Sequence, residues 1–204
     1  MNFNFDGFEF TGLIAPGSVV VIAVALLFPH VVRIGDPTVT IAVAIVVAYI
    51  VGHLVSAIGN LAELALQKMR PTGPASLSVG EWTGRYISHD QEPRLHSSVR
   101  VKLHRSDFSD EADAEERRTI LKQMFLAVVA SGHGQRVDTF NGLFNLSRGL
   151  AVSFFIAGIL GVVSAHYQAV LWSALAIGLA LFRAWKFRDA YSRELFQQFL
   201  LLEL

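Results

Sequence analysis

Residues 38–65, TVTIAVAIVVAYIVGHLVSAIGNLAELA, contain one formally charged side chain, Glu63. A helix in a water-soluble core breaks its apolar run sooner. A run of about 20 apolar residues is what a hydrocarbon layer of ~30 Å requires. In lipid only a helix of this length satisfies its own backbone hydrogen bonds. A transmembrane β-strand would alternate apolar and polar residues, and this run is solid. The stretch therefore reads as a membrane span over residues 38–58, with Asp36-Pro37 supplying the turn before it.

Working outward, residues 16–32 form a second apolar run, with Pro16 suited to the first helical turn, where its missing N–H costs nothing. Toward the C-terminus, residues 149–165 and 169–181 are apolar and joined only by His166-Tyr167-Gln168. Both are short for a span. Leu143, Phe144 and Leu146 extend the first, and Phe182 and Trp185 extend the second. The expectation is an all-α membrane protein: four transmembrane helices as two hairpins, a small, mainly helical cytoplasmic insert and a helical C-terminal tail. It divides the chain into an N-terminal segment with the first hairpin (1–66), a linker and insert (67–135), and the second hairpin with its tail (136–204).

Charge predicts the orientation. With four spans, both termini and the middle segment share one side, and that side carries every Lys and Arg except Arg33. The positive-inside rule makes it the cytoplasm, which predicts a multi-pass membrane protein with both termini inside. The first residues, MNFNFDGFEF, are acidic and aromatic and lack the basic start of a secretory signal, so the first apolar run is expected to be retained. The formal net charge is zero, which gives no basic field for nucleic acid. Cysteine is absent, excluding disulfides, thiolate zinc sites and thiol nucleophiles.

In the insert, residues 71–80 (PTGPASLSVG) read as a linker. Val99, Val101 and Leu103 alternate with Arg100, Lys102 and His104, the pattern of a half-exposed strand. Ser109 is placed to cap a helix with an acid-rich first turn, running through Ile120, Leu121, Met124 and Val128 and stopping near Gly132 and Gly134. A further helix from about Arg136 continues into the third span.

The feature closest to chemistry is a polar stripe. At about 100° per residue, Gly52, His53, Ser56, Gly59, Asn60, Glu63 and Gln67 fall on one face of the second span. Asp138, Asn141, Gly142, Asn145, Arg148 and Gly149 form a similar face before the third. Such faces meet another helix or water, not lipid. On one reading Gly52, Gly59 and Gly149 let helices approach and the amides and hydroxyls bond across. On another, His53, Ser56, Asn60, Glu63, Asn141, Asn145 and Arg148 line a vestibule or pore; a catalytic pocket is a third. His53 is either a proton switch or a neutral, hydrogen-bonded residue. Asn60, Glu63, Asn145 and Arg148 are expected to form one cluster, with Arg148 pairing Glu63, because a lone charge at that depth costs several kcal/mol.

His89, His96, His104 and His133 lack the spacing of a helical zinc motif, so neither metal nor cofactor is expected. Arg70-Pro71, Ser131-Gly132-His133 and Ser147-Arg148 follow the order of the membrane lipid phosphatase signatures, but position 63 is Glu, position 130 is Ala and position 154 is Phe where those signatures require Lys, Pro and His. No catalytic residues are assigned. The two hairpins with their insert, tail and Gly-His-x-x-Ser-x-x-Gly-Asn stripe resemble the small four-helix inner-membrane effectors of bacterial antiviral operons. The resemblance implies a protein that oligomerises, receives a cytoplasmic signal or partner and perturbs a bacterial inner membrane. The residues themselves lead to the expectation of a non-enzymatic homo-oligomer acting as a channel or membrane-perturbing effector. An anchor that recruits a soluble cytoplasmic partner protein is the alternative, and a membrane-embedded enzyme a third.

Overall fold

A computed structural model describes residues 7–30, 36–69, 74, 77–82, 84–104 and 112–202. Among them the chain is helical: α1 (Gly7–Leu27), α2 (Pro37–Met69), α3 (Val79–Trp82), α4 (Glu92–Lys102), α5 (Ala114–Ala130), α6 (Gln135–Val163) and α7 (Tyr167–Leu201), with a 3-10 turn at His89–Gln91. Three segments are long and apolar enough to cross a membrane: Pro37–Ala65 of α2, α6 and α7. The apolar part of α1, Gly12–Leu27, is shorter; at 1.5 Å per residue it extends about 24 Å.

The ends of these helices have local causes. Asp36 caps α2, its carboxylate accepting from the Thr38 N–H at 2.7 Å, and Pro37 occupies the first helical position. β-branched residues crowd the start of α2 and disfavour a helix in water, whereas in lipid the backbone would have no other partner. The expected first span, 16–32, is displaced. α1 begins at Gly7, so Pro16 lies inside it, and the helix ends at Leu27 because Pro29 forces Phe28 out of the helical region. Val31, Val32 and Arg33 lie outside the described residues.

The chain divides into two compact units. The first comprises Met1–Ala65 and Gly142–Lys186, the second Leu66–Asn141 and Phe187–Leu204. In the first, the large apolar side chains face outward: Ile41, Ile50, Leu54, Leu61, Phe155, Trp172 and Leu175 are all more than half exposed. Its buried positions are mostly small, among them Gly17, Ala48, Gly52, Gly149, Ala151, Ser153 and Ala157.

The second unit is packed the other way. Trp82, Leu95, Val99, Ile120, Met124, Val128, Phe196 and Phe199 are fully buried in one cluster. Tyr86 stacks on Phe196 with ring centroids 5.7 Å apart, and burial pushes its phenol above the ordinary range. The Trp82 indole donates to the Pro74 carbonyl at 2.7 Å. The expected strand at 99–103 is instead the end of α4. Pro93 opens that helix, and Leu95 and Val99, one turn apart, are both buried while Val101 is exposed. Spacing by four thus outweighs a short alternation. The cap of α5 is Asp113, whose carboxylate accepts from the N–H groups of Glu115 and Glu116 at 2.9 and 2.8 Å; Ser109, Asp110 and Glu111 lie outside the described residues. α5 stops at Ala130, followed by Gly132 at φ +80°. The last part of α7 supplies Leu195, Phe196 and Phe199, so the C-terminal tail belongs to this core.

Candidate functional site

In the first unit α1 and α2 touch backbone to backbone. A Cβ built on Gly17 would overlap the Ala48 carbonyl and lie 2.8 Å from the Gly52 nitrogen, and one built on Gly52 would overlap the Leu13 carbonyl. Only glycine fits on both sides of such a crossing. α6 closes against α1 in a related way. The buried Ser153 hydroxyl donates to the Pro16 carbonyl at 2.8 Å, and a Cβ on Gly149 would meet the proline ring at 3.0 Å.

Between α2 and α6 lies the polar cluster. Arg148 of α6 forms a salt bridge with Glu63 of α2 through Nη1, and its Nη2 donates to the Asn60 side-chain oxygen at 2.6 Å. The Arg148 and Glu63 side chains are 17% and 23% exposed, so both charges are largely withdrawn from the surroundings. The Phe144 ring, one turn earlier on α6, faces the guanidinium with 5.6 Å to its centroid. Gly59 makes room: a Cβ there would stand 3.3 Å from Arg148 Nε. The guanidinium thus holds two helices through a carboxylate and an amide, in a fork only arginine presents.

The remaining stripe residues are dispersed. His53 is exposed, its ring edge-on to Tyr49 at 4.6 Å. Ser56 is half-buried, and Asn145 is exposed one turn before Arg148. Asn141 is also exposed and belongs to the second unit. The Gln67 side chain lies outside the described ones. Gly52 and Gly149 thus lie at helix contacts, whereas Gly59 gives space to a side chain. Residues the sequence reading passed over are Gly17, Ser153 and Phe144. Phe144 had a signal, since it precedes Arg148 by four on a helix. Gly17 had only its size.

A cavity of about 450 Å³ opens among α1, α6 and α7 of the first unit, lined by Ile22, Leu26, Phe154, Trp172 and Ser173 among others. Ser173 is the one hydrogen-bonding side chain in this lining besides the Trp172 indole. It lacks the convergent polar groups that orient a substrate. Among the described residues no three His, Asp or Glu side chains are grouped as metal ligands. In the second unit, Lys102 donates to the Phe199 carbonyl at 3.1 Å and to that of Leu202, and burial lowers its pKa. Arg136 pairs with the buried Glu194 at 3.4 Å, and Gln198 donates to the same carboxylate. No family model, curated protein or solved structure matches this chain.

Proposed function

We propose that the protein is a four-span, homo-oligomeric inner-membrane protein of a bacterium, acting as a channel or membrane-perturbing effector under the control of its cytoplasmic second unit. The observation that carries this reading is the Arg148–Glu63–Asn60 bridge. A simple anchor needs only apolar spans, and withdrawing a charged pair from water is costly even when it is well bonded. A bridge between two otherwise small-faced helices is a two-state element. When Arg148 engages α2 the polar groups are mutually satisfied; when the helices part, the same groups become a polar lining.

α6 gives the bridge a route of control. It is one continuous helix whose first residues, 135–141, belong to the second unit and whose later residues carry Arg148. On this reading α1 is the short fourth span, and the lysine and arginine distribution supports both termini being inside. The resemblance to effectors of antiviral operons points the same way.

Ion flux from dye-loaded liposomes containing the full chain is the test. The wild-type protein should release ions above the empty-liposome rate, and Glu63→Gln with Arg148→Gln should change that rate while the protein remains folded. Absence of flux from both would dismiss the reading. It would favour a membrane scaffold, for which the specific support is the complete aromatic core of the second unit, a folded platform for a soluble partner protein.

A further inference from the structure

α2 carries two seams. The inner one, Ala48, Gly52, Val55 and Gly59, is buried within the chain. The outer one is Val46, Ile50, His53, Ala57, Asn60 and Leu64, and all six residues are exposed. Val46, His53 and Asn60 recur every seven residues, as do Ile50, Ala57 and Leu64, which is the heptad repeat of a left-handed helix pair. Two of the six are polar, two turns apart, within a segment whose mean hydropathy is 2.5. Among the described residues no hydrogen bond engages the His53 ring. The Asn60 oxygen accepts from Arg148, and among the described residues no hydrogen bond engages its amide N–H groups. In hydrocarbon those donors have nothing to bond.

We propose that a second copy of this chain docks on the outer seam, α2 lying parallel to α2 across a two-fold axis along the membrane normal. The proposal rests on α2 crossing the bilayer, as in the function proposed above. Copies inserted in one orientation bring each seam residue opposite its own counterpart. At His53 and Asn60 that self-pairing is chemically complete. A neutral imidazole donates through one nitrogen and accepts through the other, and a carboxamide does both. An unrelated partner would need polar groups at the same seven-residue interval, which this chain already provides. Ala57, between the two, lets the backbones approach. Asn60 would then join the intramolecular bridge to the contact between copies, so parting α2 from α6 and rearranging the pair become linked events.

The absence of cysteine makes the test clean. Single substitutions Ala57→Cys and Leu64→Cys on the seam are compared with Ile159→Cys on α6 and Leu175→Cys on α7, both exposed on other faces. Full-length protein in native membranes is oxidised and the disulfide-linked dimer measured. The seam positions should give a dimer and the other two little. Replacing His53 and Asn60 by Leu in the Ala57→Cys background should lower the yield about tenfold. Equal yields at all four positions, no dimer at the seam as expected of a lipid-covered face, or an unchanged yield in the Leu variant would each overturn the proposal. Cross-linking at Ala57 with no ion flux would leave the interface standing and remove the channel. Flux without cross-linking would do the reverse.

Discussion

Phe196 in the second unit is completely buried, whereas Phe155 and Trp172 in the first are 59% and 67% exposed. The same contrast marks the core of each unit, with exceptions such as the exposed Leu126 and buried Glu194 of the second and the buried Val55 of the first. One places aromatic and long aliphatic side chains inside and charges outside, the pattern that the hydrophobic effect selects in water. The other places glycine, alanine and serine inside and isoleucine, leucine and tryptophan outside. Without a hydrophobic drive between helices, association rests on close backbone approach and polar bonds, and small residues supply both. The difference teaches that the two units follow opposite packing rules, the first holding most of the three segments long and apolar enough to cross a membrane, although α6 and α7 each contribute residues to both.

The sharpest test exchanges the rules. Phe196→Ala leaves a cavity in a closed aromatic core and should destabilise the second unit by about 3–5 kcal/mol. Leu175→Ala, at a position 55% exposed in the first unit, should change folding by no more than about 0.5 kcal/mol. Denaturant unfolding in detergent, followed by hydrogen exchange of α5 and α7, measures both. Comparable losses would break the distinction between the units.

A second contrast lies within the first unit. Gly52→Leu must push α1 away from α2, since the obstructing atoms are backbone, and should cost about 1–3 kcal/mol or more. Gly178→Leu meets nothing within 4 Å and should be tolerated. Thermal melting in detergent separates them. A normal melting temperature for Gly52→Leu would mean that the α1–α2 crossing does not hold this unit together.

The Arg148 bridge gives an intermediate effect. Arg148→Ala strands Glu63 in a site that is mostly closed and should cost about 2–3 kcal/mol, below the full value for a deeply buried pair. Glu63→Gln combined with Arg148→Gln should recover most of that loss, because the amides can still bond with Asn60. If the double variant is as unstable as the single, the charges themselves are required.

Legibility in the sequence followed the same division. The long apolar helices α2, α6 and α7 were readable from length and hydropathy, and the Glu63–Arg148 pair because a charge within an apolar run demands a partner. The end of α1 was readable in principle from Pro29. What misled was the weight given to Pro16, which lies inside α1, its ring against Gly149 and its carbonyl accepting from Ser153. In the second unit the alternation at 99–103 imitated a strand, but Val101 is exposed beside Arg100, while Lys102 is half-buried and bonds to the Phe199 and Leu202 carbonyls. The Gly17 crossing was invisible, since contact between two backbones leaves no periodic signal beyond one small residue.

The smallest expected effect concerns the start of α3, in the second unit. The Ser78 N–H and hydroxyl donate to the Glu81 carboxylate at 2.6 and 2.9 Å, and the Glu81 N–H donates to the Ser78 hydroxyl at 3.3 Å, a reciprocal cap. The backbone hydrogen bond from Ser78 is the main reason that the Glu81 carboxyl lies below its ordinary range. A lowered value means that folding favours the ionised form. Its contribution is complete above the usual carboxylate range and fades as pH falls through the folded value. Trp82, the next residue, reports on the cap once Trp172→Phe and Trp185→Phe have removed the other two tryptophans. Its emission should shift slightly between about pH 7 and about pH 3, and Glu81→Gln should flatten that response while leaving the rest of the unit's acid unfolding in place. Because the carboxylate is fully exposed, water replaces much of what the cap provides, and the change should be modest. An acid response of Trp82 that is identical in Glu81→Gln would show that the cap does not couple this turn to pH, and that titration elsewhere in the second unit governs it.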